Sequence, residues 1–208
     1  MKTLLSVAVV VIVLAGAVVT WLGLPQGPKL EDVAHLAEPR LVTLPPQRVL
    51  LVRAIGDPND VGKEAFGLLM NTYMRLKGVP NWGKGLKAPR ARWPLDLQVP
   101  SDQWEGQYAM PVPDDVSALP EIGPTDGLTV ELTTWDYGEV AEVLHVGSYQ
   151  AEEPTIRLLE TFVHEHGYEI VGDHEEEYLK GPGMIFRGNP ERYLTIIRYS
   201  VRKREPGH

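Results

Sequence analysis

"VLLVRAIGDPNDVGKEAFGLL" (49–69) and "VAEVLHVGSYQAEEPTIRLLE" (140–160) align without a gap at an offset of 91 residues. Val49 falls on Val140, Val52 on Val143, Ile55 on Val146, Gly56 on Gly147, Ala65 on Ile156 and Leu68 on Leu159. Identity is low, but residue type is kept throughout. Each stretch opens with a β-branched strand, ends at a glycine and feeds a helix, so an internal duplication is the economical reading.

The flanking sequence extends the repeat. In the second half, Pro154 suits a first helical turn, and Glu152 and Glu153 complement the positive end of the helix dipole. Ile156, Leu159, Val163 and His166 recur at three- and four-residue steps, with Phe162 widening the stripe and Gly167 as the stop. The first-half helix is expected from about Val61 to Lys77, with Val61, Ala65, Leu69, Tyr73 and Leu76 on one face and Gly78 as its stop. Two strand-like runs follow each helix, about 90–99 and 104–112, then 174–180 and 192–202. A loop rich in proline, glycine and aspartate, 111–127, separates the halves. The expected fold is α+β: duplicated strand–helix–strand–strand units form one antiparallel sheet with both helices on one face. The expected repeats run from about 48 to 112 and from about 128 to 203. Large apolar groups on both sides of 137–149 and 193–201 place a semi-apolar ligand groove on the helix-free face.

Composition narrows the function. The chain has 208 residues, a net charge of −8 and a pI near 5.3, which argues against a nucleic-acid partner. It has no cysteine, which excludes disulfides, thiolate metal sites and cysteine nucleophiles. Leu4 to Leu24 is uncharged and mostly aliphatic; as a helix it would reach about 31 Å, enough to cross a bilayer. The segment 1–24 reads as an uncleaved membrane anchor with the domain exported. A cleaved signal sequence is the alternative, because Ala15-Gly16-Ala17 resembles a cleavage site. Residues 25–47 contain five prolines and read as a stiff linker between membrane and domain.

"HVGSY" (145–149), the helix over 154–166, "EEYL" (176–179) and "YLTIIRYSV" (193–201) together resemble the gyrase-inhibitor-like (GyrI-like) effector-binding domain family. The likeness covers about residues 47–203, with a lesser parallel to the haem-associated SOUL family. It implies a groove between two pseudo-symmetric units that takes drugs or metabolites, with an acidic residue and aromatics inside. The family's Glu-x-Tyr falls on Glu176 and Tyr178. Many relatives carry DNA-binding domains, and this chain carries an apolar segment in their place. One branch of the family opens strained rings hydrolytically.

In a strand, Glu176 shares a face with His174 and Tyr178, while Glu175 and Glu177 point away with Leu179 and read as surface. The candidate ligand-binding set is Glu176, Tyr178, His145, Tyr149 and Trp93. A partly desolvated carboxylate among aromatic faces attracts a lipophilic cation. His145 and Tyr149 also admit a purely structural reading. Other chemistries fail. His164 and His166 lie about 200° apart around a helix and cannot share a metal. No serine sits in a Gly-x-Ser-x-Gly context, and the glycine pairs open no helix as phosphate loops do. No catalytic residue, metal or cofactor is expected. The expected function is a membrane-tethered, non-enzymatic module that binds small amphipathic or cationic molecules. A small hydrolase working through Glu176 and a protein-interaction module are the alternatives.

Overall fold

The computed structural model describes residues 27–80, 86–93, 100–123, 125, 127–182 and 187–205. The apolar run 4–24 lies outside them, as does the end of the expected 90–99 strand. Among the described residues no helix is long and apolar enough to cross a membrane.

A short helix α1 (Leu30–Val33) leads into β1 (Arg40–Leu44), β2 (Gln47–Ile55), α2 (Pro58–Arg75), β3 (Arg90–Trp93) and β4 (Glu105–Pro111). There follow β5 (Val130–Trp135), β6 (Gly138–Val146), α3 (Glu153–Glu165), β7 (Tyr168–Lys180) and β8 (Leu194–Lys203). The eight strands among the described residues join one antiparallel sheet in the order β1-β6-β8-β7-β3-β4-β2-β5. The order is symmetric about the β7–β3 seam, so β2 corresponds to β6, β3 to β7 and β4 to β8.

The backbone carries the repeat further than the side chains do. Gly56 and Gly147 adopt φ of 141° and 146°, a region closed to residues with a Cβ. Their N–H groups donate to the equivalent carbonyls of Trp104 and Tyr193, at 3.0 and 3.1 Å. Each strand therefore turns into its helix through the same glycine hinge.

β1 and β5 complete the symmetry by exchange. β1 precedes β2 but pairs with β6, and β5 precedes β6 but pairs with β2. The segment read as a linker thus enters the sheet from Arg40, and just before it Val33 at the end of α1 and Leu36 in the 3-10 turn that follows (Ala34–Leu36) pack on Leu144, Leu194 and Ile196. The exchange also dictates curvature. β5 and β6 stand six positions apart in the sheet, which would be about 29 Å if it were flat. Only Asp136 and Tyr137 join them, and three Cα steps reach about 11 Å. Pro45 and Pro46 impose the same limit between β1 and β2. The sheet must curl until its ends approach, and the mixed cluster of Val49, Leu51, Ala109, Trp135, Tyr137 and Val140 fills the curl.

Both long helices lie on the outer, convex side. Ala65, Leu69 and Tyr73 of α2 pack on Leu50, Val52, Trp93 and Tyr108, with Tyr178 against the same cluster. Leu159 and Val163 of α3 pack on Ala141, Val143, Ile197 and Tyr199. Tyr178 is in register with Thr195 and His174 with Tyr199, so the two clusters share one face. Leu69 and Leu159 are fully buried, each contributing about 1.5–3 kcal/mol by leaving water.

The expected groove on the helix-free face is not an open apolar one. Its apolar strand residues are covered by α1 and by the curl, and its centre is filled with charge. Arg198, 4% exposed, donates to Glu142 (2.7 and 3.0 Å), Glu175 (2.7 Å) and Glu177 (3.1 Å). Arg92 bonds Glu175 at 2.7 Å and stacks its guanidinium 3.9 Å from the Trp135 ring centre. Tyr137 donates to Glu175 at 3.0 Å. Glu175 is therefore buried rather than solvated, as is Arg198, and Glu177 is half-buried. A cavity of about 170 Å³ beside this network is lined by Arg92, Tyr137, Asp173, Glu175, Arg198 and Ser200 among others, and is polar.

Candidate functional site

Glu176 projects from β7 to the helix-covered side, between the packing zones of α2 and α3. The correction to the expected groove follows from strand alternation: His174, Glu176 and Tyr178 share a face, and that face carries the helices. The Glu176 side chain is 12% exposed. Its Oε1 accepts a hydrogen bond from Trp93 Nε1 at 3.1 Å and lies 3.2 Å from His174 Nε2. The pairing of β3 with β7 sets this up, with Ala91 opposite Glu176 and Trp93 opposite His174.

Around the carboxylate runs a continuous arc of aromatic rings. Trp93 meets Tyr108 at 5.4 Å between centroids, Tyr108 meets Phe66 at 5.1 Å, and Phe66 meets Tyr178 at 5.7 Å. Tyr178 then meets Tyr149 at 5.5 Å. Nearly all these contacts are edge-on, the arrangement favoured by ring quadrupoles. The charge of Glu176 reaches the arc. Burial first, and then Glu176 among the nearby negative charges, raise the pKa of the Tyr108, Tyr149 and Tyr178 hydroxyls.

A second carboxyl joins the first. Glu152, in the turn before α3, is 5% exposed, and its Oε1 is buried with no hydrogen-bond partner among the described residues. Burial and the neighbouring charge of Glu176 push its pKa up to about 9. His174 Nδ1 lies 3.0 Å from the Tyr199 hydroxyl, which holds the ring in place. Glu152, His174 and Glu176 each offer one ligand atom, all within 4.8 Å of one another. Chemically, the cluster is an acidic, largely dry centre walled by aromatic rings. Among the described residues no lysine or arginine pairs with Glu152 or Glu176. The hydroxyls of Tyr108 and Thr195, on the same side of the sheet, are likewise buried without partners among the described residues.

Of the five residues singled out in the sequence, four come together here: Glu176, Tyr178, Trp93 and Tyr149. His145 does not. Its Nδ1 lies 3.0 Å from Thr155 Oγ1 and its Nε2 lies 3.1 Å from the Ser148 carbonyl, so both ring nitrogens are engaged in the turn that launches α3. Sequence reasoning missed Glu152, Tyr108 and Phe66, and it left His174 unused. Glu152 looked like a partner of the helix dipole, a role left to Glu153, which pairs with Arg157 on the surface. Nothing local marks Tyr108 or Phe66, because ring contacts between different elements leave no spacing in the chain.

No family model matches the chain, and no curated protein matches it. Solved structures share its fold. An uncharacterized conserved protein from Listeria innocua superposes with a TM-score of 0.64 at 22% identity, covering 83% of this chain and 97% of its own. A hydrolase from Listeria innocua gives 0.61 at 20% identity, over 85% and 100%. The C-terminal domain of EcmrR gives 0.58 at 18% identity, over 81% and 99%. The GyrI-like resemblance is supported loosely, at the level of architecture. Function has to be argued from the site.

Proposed function

We propose that this protein binds small amphipathic cations between its two long helices, with Glu176 as the charge anchor and the Trp93–Tyr108–Phe66–Tyr178–Tyr149 arc as the wall. The observation that carries the reading is the Glu176 carboxylate, 12% exposed, held by Trp93 and with no arginine or lysine to neutralise it among the described residues. A lipophilic cation supplies the missing positive charge and lays its apolar surface on ring faces, each cation–π contact worth about 0.5–2 kcal/mol. The arrangement suits a sequestering or sensing module, with affinity from shape and selectivity from charge. The apolar run 4–24 supports a membrane-tethered form, tested by whether the full-length chain sediments with membranes after alkaline washing.

The test is a matched pair of dyes, one cationic and one neutral with the same ring system, titrated into the full-length chain and followed by tryptophan fluorescence. Glu176→Gln is expected to weaken the cationic dye about tenfold or more, a loss of about 1.4 kcal/mol, and to leave the neutral dye within about twofold. Equal losses for both would remove the electrostatic part of the reading.

A hydrolytic reading is favoured by one observation: Glu152 lies buried beside Glu176, and burial with the Glu176 charge pushes its pKa up, a pairing that suits general acid and base roles. The shared fold includes a protein described as a hydrolase. Turnover of an activated ester or strained ring, lost in Glu152→Gln and Glu176→Gln alike, would establish it.

A further inference from the structure

We infer that Glu152, His174 and Glu176 form a binding site for a divalent metal ion of the zinc class. Two independent observations converge on it. The first is geometric: three ligand atoms of the right chemistry lie within 4.8 Å of one another. In a tetrahedral zinc site with bonds near 2.0–2.2 Å, donor atoms stand about 3.3–3.6 Å apart. His174 Nε2 and Glu176 Oε1 are already at 3.2 Å, and with the three ligand atoms all within 4.8 Å of one another the trio has to close by no more than about 1.5 Å.

The second is an unsatisfied group. Glu152 is only 5% exposed, and its Oε1 has no partner among the described residues. An orphaned buried carboxyl facing another carboxylate is costly, and native structures seldom keep one without a reason. A divalent cation gives the orphan a partner and lets both carboxyls sit together ionised.

The supports around the trio are those a metal site needs. His174 Nδ1 is taken up by the Tyr199 hydroxyl at 3.0 Å, which leaves Nε2 to point at the ion. Trp93 Nε1 holds Glu176 Oε1 at 3.1 Å, orienting the carboxylate from behind. Glu152 stands at the mouth of α3, where its carbonyl accepts from the amides of Thr155 (2.8 Å) and Ile156 (2.9 Å). Two ligands therefore sit on one strand and the third on an anchored turn. One imidazole and two carboxylates suit zinc, cobalt or manganese better than calcium, which takes six or more oxygens. Three protein ligands leave a coordination position open for an incoming ligand.

This inference does not rest on the organic-cation reading: it requires His174 and Glu152, which that reading leaves idle. The experiment uses the full-length chain stripped with chelator and titrated with Zn²⁺ against a chromogenic indicator, and with Co²⁺ followed by visible absorption. One ion per chain is expected, with Co²⁺ bands of a low-coordinate N/O site. His174→Gln and Glu152→Gln should each weaken binding about tenfold to a hundredfold, while His166→Gln on the surface leaves it unchanged. Anomalous scattering from a zinc-soaked crystal should place the ion against His174 Nε2, a readout that stands even if a variant misfolds. Binding that survives both variants, or an ion located elsewhere, overturns the inference, as does the lack of stoichiometric uptake. If metal uptake fails in His174→Gln while the cationic dye still binds, the two readings separate.

Discussion

Glu175 and Glu176 are adjacent in β7 and lie on opposite faces of one sheet, where they meet opposite chemistry. Glu175, 3% exposed, is gripped by Arg92, Arg198 and Tyr137. Glu176 meets no arginine or lysine among the described residues and is surrounded by aromatic rings, His174 and a second carboxyl. Strand alternation alone separates the two environments, one neutralised by arginines and one walled by aromatic rings.

Removing Arg198 should expose the cost of the structural side. Arg198→Ala leaves Glu142 and Glu175 buried with fewer partners, and breaking a buried ion pair in this way costs about 3–5 kcal/mol. The urea midpoint should fall accordingly, with the slope unchanged. A shift of less than about 1 kcal/mol would mean the network is solvated in solution.

Acid should unfold the protein through the same network. Burial would raise the Glu142 pKa, but Arg198 and Arg40 outweigh it and hold Glu142 below the ordinary 4.5. A group depressed in the folded state contributes stability that is fully present above 4.5 and lost as pH falls through its lower folded value. Urea midpoints measured from pH 6 down to pH 3 should drop steeply below about 4.5, and Glu142→Gln, weaker throughout, should show a shallower slope.

The two glycine hinges should be equally intolerant. Gly56→Ala would put a Cβ 2.8 Å from Val61 Cγ1 at φ 141°, and Gly147→Ala 3.2 Å from His145 Nε2 at φ 146°. Each should cost about 1–3 kcal/mol, read as a fall in melting temperature. Loss at one hinge only would show that the two halves are not equivalent.

Glu152→Gln should stabilise the metal-free protein. The amide keeps the shape, never ionises beside Glu176 and offers two N–H donors to the cluster in place of a buried carboxyl. A gain of about 1 kcal/mol raises the melting temperature of a domain this size by roughly 2–4 °C. An unchanged or lower value would mean that Glu152 already has a partner.

Much of the architecture was legible in the chain. The offset of 91 residues carries β2 (Gln47–Ile55) onto β6 (Gly138–Val146) residue for residue. The helical stripes and glycine stops are local patterns, and local patterns survive in a sequence. Alternation along 174–178 correctly grouped Glu176 with His174 and Tyr178. What sequence could not supply was which face those residues see. That depends on β1 and β5 crossing to the opposite half, and strands of five and six residues beside Pro45-Pro46 and Asp136-Tyr137 announce no partner.

The sequence by itself determined the duplicated α+β elements, because periodicity and glycine conformation act over a few residues. Only the tertiary structure decided the sites. The two-residue links force the sheet to curl, the curl closes the inner face around Arg198, and the acidic, aromatic centre is left beneath the helices. Contacts between residues as distant as Trp93 and Glu176 are set by that closure, and no local pattern encodes them.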